Sequence, residues 1–140
     1  MSTLPVSTPP AHTLLLLTWE LTGDADLRRI REDLTKFFAV RAEHDDLAQR
    51  IGLVATELAG NALRHGQPPV IARLLGDDDC FLLDVSDRAV HHPPAPAESS
   101  PAVRAGGRGL HIAHTLAQQL CWYATDDTKH VWASFPRPRP

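Results

Sequence analysis

The 140-residue chain has no surplus of basic charge, no long apolar run and only two cysteines. Its net charge of −3 argues against a general nucleic-acid binder, whose surface carries a basic excess. The longest leucine run is Leu14 to Leu17, and no basic residue precedes Arg28. Both facts speak against a secretory signal or a transmembrane helix, so the expected setting is cytoplasmic, with no membrane partner. Cys80 and Cys121 lie far apart with no metal spacing, and read as buried thiols of a reducing compartment. What remains is ordinary globular composition, with 43% hydrophobic residues in a length that suits one domain with one core.

Proline is abundant, and its positions divide the chain. Pro5, Pro9 and Pro10 mark a flexible N-terminus over residues 1–11, and Pro68-Pro69 break the chain in its middle. Pro93, Pro94, Pro96 and Pro101 fill a loop over residues 88–105, and residues 136–140 read as a proline-rich tail. The domain itself is expected over residues 12–135.

Between these breaks the hydrophobic periodicity predicts the elements. A strand is expected over His12 to Leu21. Thr22-Gly23-Asp24 then offers caps for a helix with Leu27, Ile30, Leu34, Phe37 and Phe38 at helical spacing. Asp45-Asp46 can cap a second helix with the stripe Leu47, Ile51, Val54 and Leu58. Val70 to Leu75 and Cys80 to Ser86 flank Gly76-Asp77-Asp78-Asp79 and read as a hairpin. A third helix is expected from about Gly107 to Leu120, followed by strands over Cys121 to Thr125 and Lys129 to Phe135. Three helices with about five strands predict a two-layer α/β sandwich. Its helices cover one face of a mixed, mostly antiparallel sheet.

Three short segments carry candidate chemistry. In Glu57-Leu58-Ala59-Gly60-Asn61-Ala62-Leu63-Arg64-His65-Gly66, Glu57 and Asn61 stand four apart and share a helix face. A carboxamide oxygen suits Mg²⁺ beside phosphate oxygens, and a glutamate one turn earlier can take a proton from an attacking hydroxyl. Alone, so short a pattern reads first as the polar flank of an amphipathic helix. Gly106-Gly107-Arg108-Gly109-Leu110 stands where a helix should begin, where unpaired N–H groups and the positive dipole end favour phosphate. Taken singly, it is equally a hinge closing the proline-rich loop. Asp87, just beyond an apolar strand, can accept from the amino group of adenine, or simply turn the chain.

The order of these pieces is what adds weight. Helix with Glu and Asn, strand ending in Asp, loop, glycine turn and helix resembles the GHKL superfamily, the ATP-binding (Bergerat-type) fold of gyrase, MutL and sensor histidine kinases. Glu57 to Gly66 looks like its N box, Asp87 like the aspartate of its first glycine box, and Gly106 to Leu110 like its second. The run Gly107-Arg108-Gly109-Leu110-His111-Ile112-Ala113 is most similar to the anti-sigma-factor serine/threonine kinase branch. The resemblance implies ATP and Mg²⁺, with Glu57 as general base and Asn61 as magnesium ligand. Ala62 and His65 would lie beside Asn61 at the nucleotide, Asp87 would bind adenine, and Gly106, Gly107, Arg108, Gly109 and Leu110 would wrap the phosphates. It further implies that the protein holds a sigma factor and phosphorylates a serine on an antagonist protein, as a monomer or a homodimer. The alternative is a nucleotide-dependent or nucleotide-free protein-binding regulatory module without phosphotransfer.

Two departures from the family pattern stand out. Arg88-Ala89-Val90-His91-His92-Pro93 follow Asp87 where the family has glycines, which predicts a narrowed base pocket or a stiffer loop. His130 stands where the family often has threonine, so a second adenine contact is expected to be missing. His65 either faces phosphates or serves as a helix-end cation beside Gly66. Arg88 and Arg104 bracket the loop and are expected in solvent. The eight histidines show no zinc spacing. Arg28, Arg29, Arg31 and Lys36 read as a solvated helix face, and Trp122 and Trp132 as strand residues.

Overall fold

The computed structural model describes residues 4–10, 13–41, 45–94 and 112–138. Five strands and two long helices follow in the order β1 (Leu14–Leu21), α1 (Asp24–Val40), α2 (Asp45–His65), β2 (Val70–Gly76), β3 (Cys80–Asp87), β4 (Gln119–Ala124) and β5 (Lys129–Pro136). A further helical run covers residues 112–116. The strands form one sheet in the order β1-β2-β3-β5-β4, and each neighbouring pair is antiparallel. Among the described residues no helix is long and apolar enough to cross a membrane.

The helices form where the spacing predicts them. Gly23 caps α1, and Asp26 reaches back to accept from the backbone N–H groups of Thr22 and Gly23 at 2.8 and 3.3 Å. The Thr22 amide is the main reason the Asp26 carboxyl sits below the usual carboxylate range. Ile30, Leu34, Phe37 and Phe38 form the buried stripe of α1. Phe38 meets both Phe37 and Phe81 of β3 edge-on, with ring centroids 5.2 and 5.0 Å apart. On α2 the stripe Leu47, Ile51, Val54 and Leu58 is buried, flanked by Ala48, Ala55, Ala59 and Ala62. These small residues let α2 lie close against α1 and the sheet. Arg28, Arg29, Arg31 and Lys36 face solvent, as expected.

The sheet has an inner and an outer face. Trp19, Ala72, Leu83, Val85, Ala133 and Phe135 point inward and share one core with the helices. Leu82, Cys121 and Trp132 form a second, smaller cluster with Leu75, Cys80 and Tyr123. Cys121 is buried and Cys80 half-buried; both are free thiols, and burial pushes both up in pKa. Trp19 also donates from Nε1 to Asp33 Oδ2 at 2.9 Å, which ties β1 to α1. Trp19→Phe should therefore cost about 2–3 kcal/mol in urea unfolding, because the lost bond goes to a carboxylate and the smaller ring leaves space at a buried position. A loss near zero would mean that solvent takes over the bond without penalty.

Two readings of the termini change. The prolines at 5, 9 and 10 do not hold the first segment away from the fold. Leu4 is buried, Trp122 N–H donates to the Pro5 carbonyl, and Ser7 N–H donates to the Trp122 carbonyl, both at 3.0 Å. Val6 makes a parallel bridge to Trp122, and Trp132 Nε1 donates to the Ser7 carbonyl at 2.7 Å. Residues 4–7 thus cover the outer edge of β4. The expected third helix ends early, since Gln119 and Leu120 belong to β4, where Leu120 pairs with Ala133. Leu120 suits either period. The sheet claims it because a strand there satisfies the free hydrogen-bonding side of β5.

Candidate functional site

The last turns of α2, the end of β3 and the start of β5 meet around a cleft of about 110 Å³. Asn61, Ala62, His65 and Gly66 come from the end of α2, Val85 and Asp87 from β3, and Lys129 and Val131 from β5. His92, Pro93 and Pro94 close the remaining side. Four predicted site residues, Asn61, Ala62, His65 and Asp87, are therefore brought together. Glu57 lies one turn before Asn61, half-buried, and outside the lining of this cleft. Gly106, Gly107, Arg108, Gly109 and Leu110, with Arg104 and His111, lie outside the described residues.

Asp87 is the centre of the arrangement. It is 3% exposed, and its Oδ1 accepts from the Ala89 N–H at 2.7 Å and the Gln67 N–H at 3.4 Å. Oδ2 faces Lys129 Nζ at 3.6 Å. Lys129 is itself buried, and its ammonium donates to the His92 carbonyl at 2.8 Å. Two oppositely charged groups are thus withdrawn from water together, which is tolerable only because each has partners. They are direct cross-strand partners in the β3–β5 register and so point to the same face.

Gly66 makes this placement sterically allowed. A Cβ on Gly66 would lie 2.5 Å from Asp87 Cγ, 2.6 Å from its Oδ2 and 2.7 Å from the Ala62 carbonyl oxygen. The glycine is required by close approach, since no described glycine has a positive φ. After Gly66, Arg88 N–H donates to the Gln67 carbonyl at 2.9 Å, which draws the chain after α2 beside the chain after β3.

The segment after Asp87 is folded despite lacking the family's glycines. Val90 N–H donates to Arg88 O at 2.9 Å and His92 N–H to Ala89 O at 3.1 Å, while Ala89 is buried. These turns, held by Lys129, set His92 and the following prolines as a wall of the cleft. Of the expected loop, residues 88–94 carry these contacts, and the rest lies outside the described residues.

His130 does not line the cleft. It pairs with Ser86, one step along from Lys129, and therefore points to the outer face of the sheet. There its Nδ1 lies 3.0 Å from Asp84 Oδ2, its Nε2 lies 2.9 Å from Thr128 Oγ1, and its ring stacks on Tyr123. Burial, with Asp84 nearby, pushes the Tyr123 hydroxyl up in pKa. The β5 residue at the cleft is Lys129, which the sequence reading passed over. Alternation separates Lys129 and Val131 from His130 and Trp132, but only the β3–β5 register decides which set faces the cleft.

The residues present suit a magnesium nucleotide by donor chemistry: a carboxamide at Asn61 and a buried carboxylate at Asp87 both line the cleft. The family model of the histidine kinase-like ATPase domain matches residues 22–135. Among solved structures, the chain is similar to the RsbU and RsbW domains of Rv1364c from Mycobacterium tuberculosis. The TM-score is 0.61 at 17% identity, over 89% of this chain and 34% of that one. This chain therefore corresponds to about a third of that structure, and at this identity the likeness speaks for the fold. No curated protein matches.

Proposed function

Because the chain belongs to the histidine kinase-like ATPase domain family, we propose that it binds ATP with Mg²⁺ in the cleft between α2 and β3, and phosphorylates a serine on a protein partner. The observation that supports this best is the convergence of Asn61 and Asp87, from separate elements, on one cleft. Asp87 Oδ2 accepts from the amino group of the base. Asn61 would hold the Mg²⁺, which neutralises phosphate charge when bound. Glu57, one turn away, takes the proton from the serine hydroxyl as that oxygen attacks the terminal phosphorus, whose bond to the bridging oxygen breaks to release ADP. His65 stands exposed at the end of α2, and Gly106 to Leu110 would supply backbone donors to the phosphates. The partners of this reading are an anti-sigma-factor antagonist that carries the serine and a sigma factor held in the other phase of the cycle.

Calorimetric titration tests the binding step. ATP should bind with a dependence on Mg²⁺, and Asn61→Ala should weaken the magnesium-dependent part about ten- to hundredfold. Absence of ATP binding, or binding indifferent to both magnesium and Asn61, would overturn the assignment. Transfer is tested by phosphoserine on the antagonist after incubation with Mg-ATP, which Glu57→Gln should reduce by a factor of about 10²–10⁴.

One observation favours a second reading. Residues 88–94 are already folded against the cleft and latched by Lys129, as suits a regulatory module that binds its partner without phosphotransfer. ATP binding without any phosphoserine would select that reading.

A further inference from the structure

We infer that Lys129 is a base-selecting residue, donating from its ammonium to the ring nitrogen beside the exocyclic amine of adenine. This rests on the nucleotide reading above and adds a residue that the family resemblance did not supply. Lys129 carries three donors. One reaches the His92 carbonyl at 2.8 Å, and Asp87 Oδ2, at 3.6 Å, is an ionic partner beyond hydrogen-bond range. The ammonium is buried and lines the cleft, so it retains donor capacity directed at whatever enters.

Asp87 is partly spent in a complementary way. Ala89 and Gln67 already donate to Oδ1, whereas Oδ2 has no donor within hydrogen-bond distance among the described residues and remains the oxygen able to accept from a bound base. The cleft wall therefore offers one acceptor beside one donor. Adenine presents the matching edge, with an amino donor next to a ring-nitrogen acceptor. Guanine presents a carbonyl acceptor followed by two adjacent donors, the ring N–H and the 2-amino group. A carboxylate with both oxygens free could take both donors, but here the second oxygen is occupied. Guanine would leave a buried N–H unmet, and a site of this kind rejects such a base through the unpaired polar group. Lys129 further holds His92 and the prolines after it, so the edge-reading pair and the pocket wall are one unit.

The test uses the intact protein and three nucleotides: ATP, GTP and 1-deaza-ATP, in which the ring nitrogen is replaced by carbon. Wild type should bind ATP about tenfold or more tightly than 1-deaza-ATP, the worth of one hydrogen bond to a charged group. GTP should bind more weakly still. In Lys129→Met the ratio of ATP to 1-deaza-ATP affinity should fall to about one. Equal binding of the two adenine nucleotides by wild type would overturn the inference while leaving the nucleotide site standing, and it needs no variant to fold. A ratio unchanged in Lys129→Met would likewise remove Lys129 from the role. No binding of any nucleotide would fail the reading beneath it, and the inference with it.

Discussion

Asp87→Ala should lower unfolding stability by about 3–5 kcal/mol and abolish nucleotide binding. The size comes from what is left behind. Lys129 would stay buried with its charge answered only by the His92 carbonyl, and the Ala89 and Gln67 N–H groups would lose their acceptor. Removing one member of a buried pair is far more damaging than replacing both, because the survivor keeps its desolvation cost. Asp87→Asn keeps an oxygen for the two amides but loses the charge and turns an NH₂ toward the Lys129 ammonium, so it should fall between wild type and alanine. Urea unfolding of the three proteins checks the order. A loss below about 1 kcal/mol for the alanine variant would mean that Lys129 swings out to water.

Gly66→Ala should be nearly as harmful, costing about 1–3 kcal/mol from overpacking and disabling the cleft. The added methyl would press on a buried carboxylate and on a helix carbonyl, neither of which is the free end of a flexible chain. Relief comes only if Asp87 moves, which breaks its bonds to Ala89 and Gln67. The two substitutions should therefore be non-additive: Gly66→Ala placed on Asp87→Ala should cost less than it does alone, with the Ala62 contact remaining. Strict additivity in a double-mutant cycle would mean that the two residues do not constrain each other.

How legible this was in the amino-acid sequence depends on the range of the signal. The stripes of α1 and α2 and the β2–β3 hairpin are local, and periodicity placed them to within a residue or two. Asn61 and Asp87 could be singled out because their order along the chain resembles a known pattern. The Asp87–Lys129 pair was not legible, since it depends on the β3–β5 register, and a shift of one residue would have put His130 at the cleft instead. Leu120 was misassigned because leucines at 110 and 120 with alanines at 113 and 117 satisfy a helical period. Only the pairing with β5 decides otherwise. The segment after Asp87 lacked the glycines that the family pattern leads one to seek, and its turns became visible only with the amide of Ala89 and the ammonium of Lys129 in place.

The two rims of the sheet differ in a way that limits how copies of the chain can associate. Residues 4–7 already occupy the β4 side, whereas β1 is the other outermost strand, and its Leu14 and Leu15 are 70% and 56% exposed. A run of four leucines on an open rim is the kind of sequence that invites runaway strand addition. Among the described residues, the β4 rim is partly taken by Pro5 and Ser7, which bond to Trp122 on either side of its peptide. A second copy adding strand to strand would therefore meet least competition at β1, and an antiparallel β1–β1 pairing would place the two leucine runs side by side.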